Sequence, residues 1–167
     1  MKMKLNLGCG ETKKIDYVNV DMCGEPDLVC DLSCFPWPWQ DNSVDEVYSC
    51  HFLEHVEDLK KTILETHRIL KPGGVIHFRV PHFRNPLAVW DLHRWEFSVY
   101  TPERLCQKLP YQFGGQQLFQ KKQVRINFSS IRPCIGKPLA VVANLFPLFW
   151  DWVGLPIDEI EFIGVKL

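Results

Sequence analysis

The sequence predicts an α/β domain with a mainly parallel sheet covered by helices on both faces and a late antiparallel strand pair. Three observations carry this: short apolar segments that each end in polar loop residues, an amphipathic stretch between the fourth and fifth of them, and Gly/Pro punctuation elsewhere. Residues 4–7 (KLNL) read as the first strand, stopped by Gly8-Cys9-Gly10. Residues 17–21 alternate Tyr17, Asn19 and Asp21 against Val18 and Val20, the period of a second strand. Residues 28–32 read as a third strand, and 35-FPWPWQDNS-43 as a loop, because two prolines and an Asp-Asn-Ser cluster oppose regular structure. Residues 44–50 (VDEVYSC) form the fourth strand. A helix follows, with Val56, Leu59, Ile63, Thr66 and Leu70 on one face, Asp58 as its N-cap and Lys71-Pro72-Gly73-Gly74 as its stop. Residues 75–80 are the fifth strand, closed by Pro81. Residues 101–109 read as a capped helix with Pro102 in its first turn, and 123–128 and 161–167 as the late strand pair.

Composition bounds what this fold can do. A chain of 167 residues, 46% hydrophobic and 23% charged, fits one domain over 1–167. The net charge of −1, with 19 scattered basic residues, gives no electrostatic footprint for nucleic acid. Met1-Lys2-Met3-Lys4 runs into the first strand without an apolar leader, so a cytoplasmic location is expected. Seven cysteines without a C-x-x-C pair read as free thiols. Residues 139–157 are apolar but broken by Asn144, Pro147, Asp151, Gly154 and Pro156, whereas a membrane span needs about 20 uninterrupted apolar residues. They read as an amphipathic flap, with peripheral membrane contact as the other use. Oligomeric state is left open.

The strand ends concentrate the chemistry. In parallel sheets ligands bind beyond the carboxyl ends of the strands. Gly8 and Gly10 allow a sharp turn there, Asp21 ends the second strand with a carboxylate able to accept from ribose hydroxyls, and Asp31 ends the third with one able to accept from an exocyclic amine. Together they describe an adenosine site. Lys13 stands where a dinucleotide fingerprint needs its third glycine, which disfavours a nicotinamide cofactor.

The pieces 5-LNLGCG-10, 18-VNVD-21, 30-CDL-32, 36-PWPWQDNSVDEVYSCHFLEHVED-58 and 69-ILKPGGVIHFRVP-81 occur in an order that resembles the class I S-adenosylmethionine-dependent methyltransferases. The resemblance implies a Rossmann-like fold and S-adenosylmethionine as cofactor. It implies that Leu7, Gly8, Cys9 and Gly10 line the methionine and ribose portion, that Asp21 binds the ribose with Met22 beside the adenine, and that Asp31 and Leu32 border the adenine edge. It places His51 near the sulfonium. The segments 82–100 and 129–157 are expected to be acceptor-side or capping insertions, and the acceptor a small molecule. Two departures stand out: only ten residues separate Gly10 from Asp21, leaving little room for a helix, and Asn6 stands near a position that is acidic in many members. Lys13 or Lys14 is a candidate to compensate at the methionine carboxylate.

Methyl transfer needs a base only when the acceptor must lose a proton, and His82 and His93 are the candidates. Trp37, Trp39, Trp90 and Trp95 could stack on a flat ligand or simply pack, and Arg79, Arg84 and Arg94 could meet an anionic acceptor or solvent. The stretch 51-HFLEHVED-58 also contains H-x-x-E-H, the order of a zinc-peptidase motif if it were helical. Following a strand and preceding the Asp58 cap, it reads instead as a loop-to-helix junction, and no metal ligand is assigned. A divalent ion assisting transfer, as in family members with E-x-x-E-H here, is a minority reading because His51 replaces the first Glu. The alternatives to a methyltransferase are a catalytically inactive cofactor-binding module of the same fold and, remotely, a zinc hydrolase.

Overall fold

The computed structural model describes residues 2–85, 88, 92–111, 113–128, 133–152 and 157–167. Trp90 and parts of the 82–100 and 129–157 segments lie outside the described residues. The chain runs β1 (Lys4–Leu7), β2 (Val18–Asp21), β3 (Leu28–Val29), β4 (Val44–Cys50), α1 (Leu59–Ile69), β5 (Leu70–Pro81), α2 (Tyr100–Leu105), β6 (Phe119–Asn127), α3 (Pro133–Ala143), α4 (Pro147–Trp152) and β7 (Glu159–Lys166). The strands form one seven-stranded sheet in the order β3-β2-β1-β4-β5-β7-β6. The first five are parallel, and β7 enters antiparallel between β5 and β6. The late antiparallel pair is therefore present, and it begins earlier in the chain than its sequence pattern suggests.

Other boundaries differ for identifiable reasons. The third strand spans two residues instead of 28–32 because it is a sheet edge and Asp31 leaves the ladder to accept from the Ser33 amide at 2.9 Å. Helix α1 stops at Ile69, with the Asp58 carboxylate capping the Lys61 amide at 2.9 Å. Leu70 already pairs with Val44, so Lys71-Pro72-Gly73-Gly74 is absorbed into the start of β5 across a bulge. Helix α2 is shorter than 101–109, ending at Leu105.

The two faces of the sheet are unequal. Leu5, Leu7, Val20, Val47, Ile76, Phe78, Val80, Ile160 and Phe162 alternate along their strands into one buried core that Ile63 and Ile69 of α1 join. The intervening positions are half-buried and polar, and they pair sideways. Tyr17 donates to Glu46 at 2.6 Å, His77 meets Glu161 at 2.9 Å, and Lys14 lies 4.2 Å from the centroid of the Tyr48 ring. This follows from the short β1–β2 connection: residues 8–17, all described, contain no helix to cover that side. Side chains hold the connection in its place. Buried Asn6 donates to Asn19 at 2.9 Å and to Thr12 O at 3.1 Å, while Asn19 accepts from the Lys14 amide at 2.7 Å and donates to Asp27 at 2.6 Å.

The proline-rich loop between β3 and β4 is fastened to α1 by one cation. Arg68 makes a two-pronged pair with Glu65 (2.6 and 2.9 Å) and donates to Asp41 (2.6 Å), Trp39 O (2.9 Å) and Trp37 O (3.1 Å). Trp37 is 2% exposed, with its indole N–H on Leu32 O at 3.0 Å, so it is core and not a ligand-stacking ring. Truncating Arg68 to alanine strands Glu65 and two carbonyls and is expected to cost about 2–4 kcal/mol in urea unfolding. The Arg68 guanidinium, with help from the Trp37 amide, holds the Glu65 carboxyl below its ordinary value against the effect of burial. A depressed carboxylate adds stability that is complete above its unfolded value near 4.5 and lost as pH falls through the folded one. Glu65→Gln should therefore lower stability at neutral pH and flatten the acid limb of a Tm-against-pH curve.

The apolar 139–157 stretch folds in its described part as α3 and α4 beside β6. Asn144 mimics a strand partner, accepting from the Ile126 amide at 2.7 Å and donating to its carbonyl at 2.8 Å. Val141, Val142, Leu145, Phe146 and Phe149 remain exposed. Among the described residues no helix is long and apolar enough to cross a membrane.

Candidate functional site

A cavity of about 420 Å³ opens where β1, β2 and β3 end and α1 begins. Gly8, Asp21, Met22, Asp31 and Leu32 line it, so five of the nine residues expected at a cofactor meet at one wall. Leu7 and Cys9 lie buried behind that wall, and Gly10 and His51 stand outside the lining. Phe35, Phe52, Val56, Lys61 and Thr62 also line the cavity and were not singled out by sequence reasoning. The signal for the last two was present: they are the polar residues of the first turns of an amphipathic helix whose cap, Asp58, lines the same cavity.

Each wall residue is shaped by its backbone. Gly8 turns through φ +64°, its amide on Val20 O at 2.9 Å, and a Cβ built there would lie 2.6 Å from Phe52 Cγ. Only glycine lets Phe52 pass so close. The Asp21 carboxylate accepts from Gly10 N (2.8 Å) on one oxygen and from Met22 N (2.7 Å) and Cys23 N (3.1 Å) on the other. It thereby fixes the turns on both sides of the cavity and keeps acceptor capacity on Oδ2, since a carboxylate offers about four acceptor positions. Asp31 accepts from the Ser33 hydroxyl (2.7 Å) and amide, which hold its pKa below the ordinary value. Met22, Leu32, Phe35 and Val56 supply apolar surface between these carboxylates.

Lys13 pairs with Asp27 at 3.5 Å and Lys14 sits over Tyr17 and Tyr48, so neither lysine lines the cavity. His51 has φ +53°, a left-handed conformation that costs a side-chain-bearing residue about 1–2 kcal/mol. Its ring bridges two carboxylates, Nε2 to Glu159 at 2.8 Å and Nδ1 to Glu54 at 3.1 Å, and Arg79 pairs with the same Glu159. The hydrogen bonds from Glu159 and then Glu54 push the His51 pKa up to about 10, against the effect of burial. Arg79 is thus engaged within the fold.

Residues 51–58 are not helical, so His51 and His55 do not share a helix face and the zinc-peptidase geometry is not formed. A different set converges: Glu54, His55 and His93 each offer a ligand atom, all within 4.8 Å of one another. His82 is 0% exposed, and its Nδ1 accepts from the Arg84 amide at 3.2 Å. A fully buried imidazole cannot reach an acceptor without rearrangement. His93 is half-buried, its Nδ1 donating to Ala88 O at 2.9 Å, and its ring lies 4.8 Å from that of His55, which lines the cavity. Arg94 pairs with Glu57 at 3.5 Å, and Trp95 donates to Val56 O at 2.7 Å.

Comparison with known proteins bears on the fold. Residues 13–78 match the model of a methyltransferase domain. No curated protein matches the chain by sequence. Among solved structures, an S-adenosylmethionine-dependent methyltransferase from Archaeoglobus fulgidus superposes with a TM-score of 0.64 at 15% identity, covering 99% of this chain and 86% of that one. A Haloferax volcanii complex of the Trm112 activator with a methyltransferase gives 0.59 at 17% identity, covering 99% and 82%. The Haemonchus contortus phosphoethanolamine N-methyltransferase 2 in complex with S-adenosyl-L-methionine gives 0.61 at 15%, covering 99% of this chain and 49% of that one. At such identities the structures speak for the fold, while the domain match begins at Lys13, just past the glycine loop, and ends at Phe78 in β5, less than half of the chain. By sheet order and superposition the chain has the Rossmann-like fold of these methyltransferases, and its residues 13–78 are similar to a methyltransferase domain.

Proposed function

We propose that this chain binds S-adenosylmethionine in the β1–β2–α1 cavity and transfers its methyl group to a small-molecule acceptor. The observation that carries the reading is the convergence of Gly8, Asp21 and Asp31 on one cavity, with a missing side chain where Phe52 approaches and apolar walls between the carboxylates. The residues fit the cofactor. Asp21 would accept from ribose, Asp31 and Leu32 would border the adenine edge, and Met22 and Phe35 would sandwich its faces. Leu7 and Cys9 support the loop from behind, Gly10 is tied to the site through Asp21, and His51, at the carboxyl end of β4 beside Phe52, would stand toward the sulfonium end.

Bound there, S-adenosylmethionine supplies a methyl group on a good leaving group, so alignment by the protein does most of the remaining work. The acceptor side is assigned to the edge of the cavity at His55, next to residues 92–95, whose backbone is pinned to Glu54 O by the Arg94 amide at 2.8 Å. Of the two candidate bases, burial takes His82 out of direct contact, which leaves His93 as the candidate. The cavity volume of about 420 Å³ favours a small acceptor over a macromolecule.

Calorimetry with S-adenosylmethionine and S-adenosylhomocysteine tests the binding, with micromolar dissociation constants expected. Absence of binding at millimolar ligand would overturn the reading. Methyl-labelled cofactor incubated with a cell-extract metabolite fraction should place label in small molecules. Binding with no transfer to any fraction would instead support an inactive cofactor-binding module.

A further inference from the structure

We propose that Glu54, His55 and His93 bind a divalent first-row transition-metal ion at the acceptor-side mouth of the cavity. One ligand atom from each lies within 4.8 Å of the others. A metal would draw them to about 3.3 Å, the separation set by bonds of roughly 2.0–2.1 Å in a tetrahedral shell.

Four independent features of the surroundings point to a cation. Glu54 is fully buried, and its Oε2 has no hydrogen-bond partner among the described residues. A buried carboxylate oxygen left bare is costly, and an ion would satisfy it. Both imidazoles are oriented as metal ligands are: His55 Nδ1 lies 3.2 Å from Leu92 O and His93 Nδ1 lies 2.9 Å from Ala88 O. A carbonyl only accepts, so Nδ1 carries the proton in each ring and the lone pair sits on Nε2. The other Glu54 oxygen is held by His51, itself anchored by Glu159, which Arg79 pairs. Finally, Glu54 O receives the amides of Arg94 (2.8 Å) and Trp95 (3.3 Å), which locks the segment carrying His93 against the one carrying Glu54 and His55.

Two imidazoles and one carboxylate select zinc, iron, cobalt or nickel over magnesium or calcium, which require oxygen shells. Three protein ligands leave at least one position open, the pattern of a metal that also binds substrate or water. His55 lines the cofactor cavity, so that open position borders the place proposed for the acceptor. On the cofactor reading above, this favours an acceptor with a hydroxyl that can coordinate, and it makes His93 a ligand in place of a free base.

The test uses the full chain without a histidine tag, stripped by chelator and titrated with Co²⁺. Expected are one ion per chain, visible d–d absorption, and affinity reduced about tenfold or more by His55→Gln and by His93→Gln. Both changes lie at exposed or half-buried positions, so the fold should survive, as circular dichroism would verify. Unchanged Co²⁺ affinity in the folded double variant, or no saturable binding of Co²⁺ or Zn²⁺, would overturn the proposal. Cofactor calorimetry on the metal-free protein separates the two readings: binding there without any ion site sinks the metal proposal alone, and an ion site without cofactor binding sinks the cofactor reading alone.

Discussion

Gly8→Val is expected to abolish detectable S-adenosylmethionine binding and to lower folding stability by about 2–4 kcal/mol. Two costs combine. At φ +64° any L side chain is strained by about 1–2 kcal/mol, and the new Cβ would overlap Phe52, lying 2.6 Å from its Cγ and 2.7 Å from its Cβ. Phe52 lines the cavity, so the relief of that overlap comes at the expense of the space proposed for the cofactor. Gly10→Ala is the internal control. Its φ is +49°, but nothing lies within 4 Å of an added Cβ, so it should carry the backbone cost alone and retain binding. Urea unfolding and calorimetry on both variants decide the matter, and equal behaviour of the two would show that the approach of Phe52 is irrelevant to the site.

Asp21→Ala should weaken S-adenosylmethionine by about 2–3 kcal/mol, roughly 30- to 150-fold, while stability falls by about 1 kcal/mol. The estimate is bounded by hydrogen bonding already present. Three backbone amides occupy most of the acceptor positions of this carboxylate, which leaves capacity for one strong bond to ribose instead of two. Those amides are exposed, so water replaces the carboxylate at small cost in the free protein. Asp21→Asn sharpens the comparison because it keeps the shape and removes the charge. An affinity for the cofactor that is unchanged in Asp21→Ala would remove this residue from the site.

The legible part of this fold is the local part. The alternation of Val18 and Val20 with Asn19 and Asp21, the 3.6-residue spacing of Ile63 and Thr66, and the Asp58 cap each lie within a few residues of what they determine. The strand-end aspartates were legible for the same reason, since a polar residue ending an apolar run in a parallel sheet must face the carboxyl edge. Boundaries failed where tertiary pairing overrode local pattern. Leu70 belongs to a helix by spacing but to β5 by its pairing with Val44, and β3 is short because no strand lies beyond it.

By itself the sequence determined the α/β class, the gathering of Gly8, Asp21, Met22, Asp31 and Leu32 at the strand ends that wall one cavity, and the non-helical reading of 51-HFLEHVED-58. Tertiary structure alone decided that His51 bridges Glu54 and Glu159, that His82 is sealed in the interior, and that His93 meets Glu54 and His55. The reason is physical. Periodicity records which side of its own element a residue occupies, but a contact such as His51 with Glu159, 108 positions apart, exists only after β7 has inserted beside β5. The sheet order that brings them together is settled by the packing of the whole core, and no short stretch of the chain contains it.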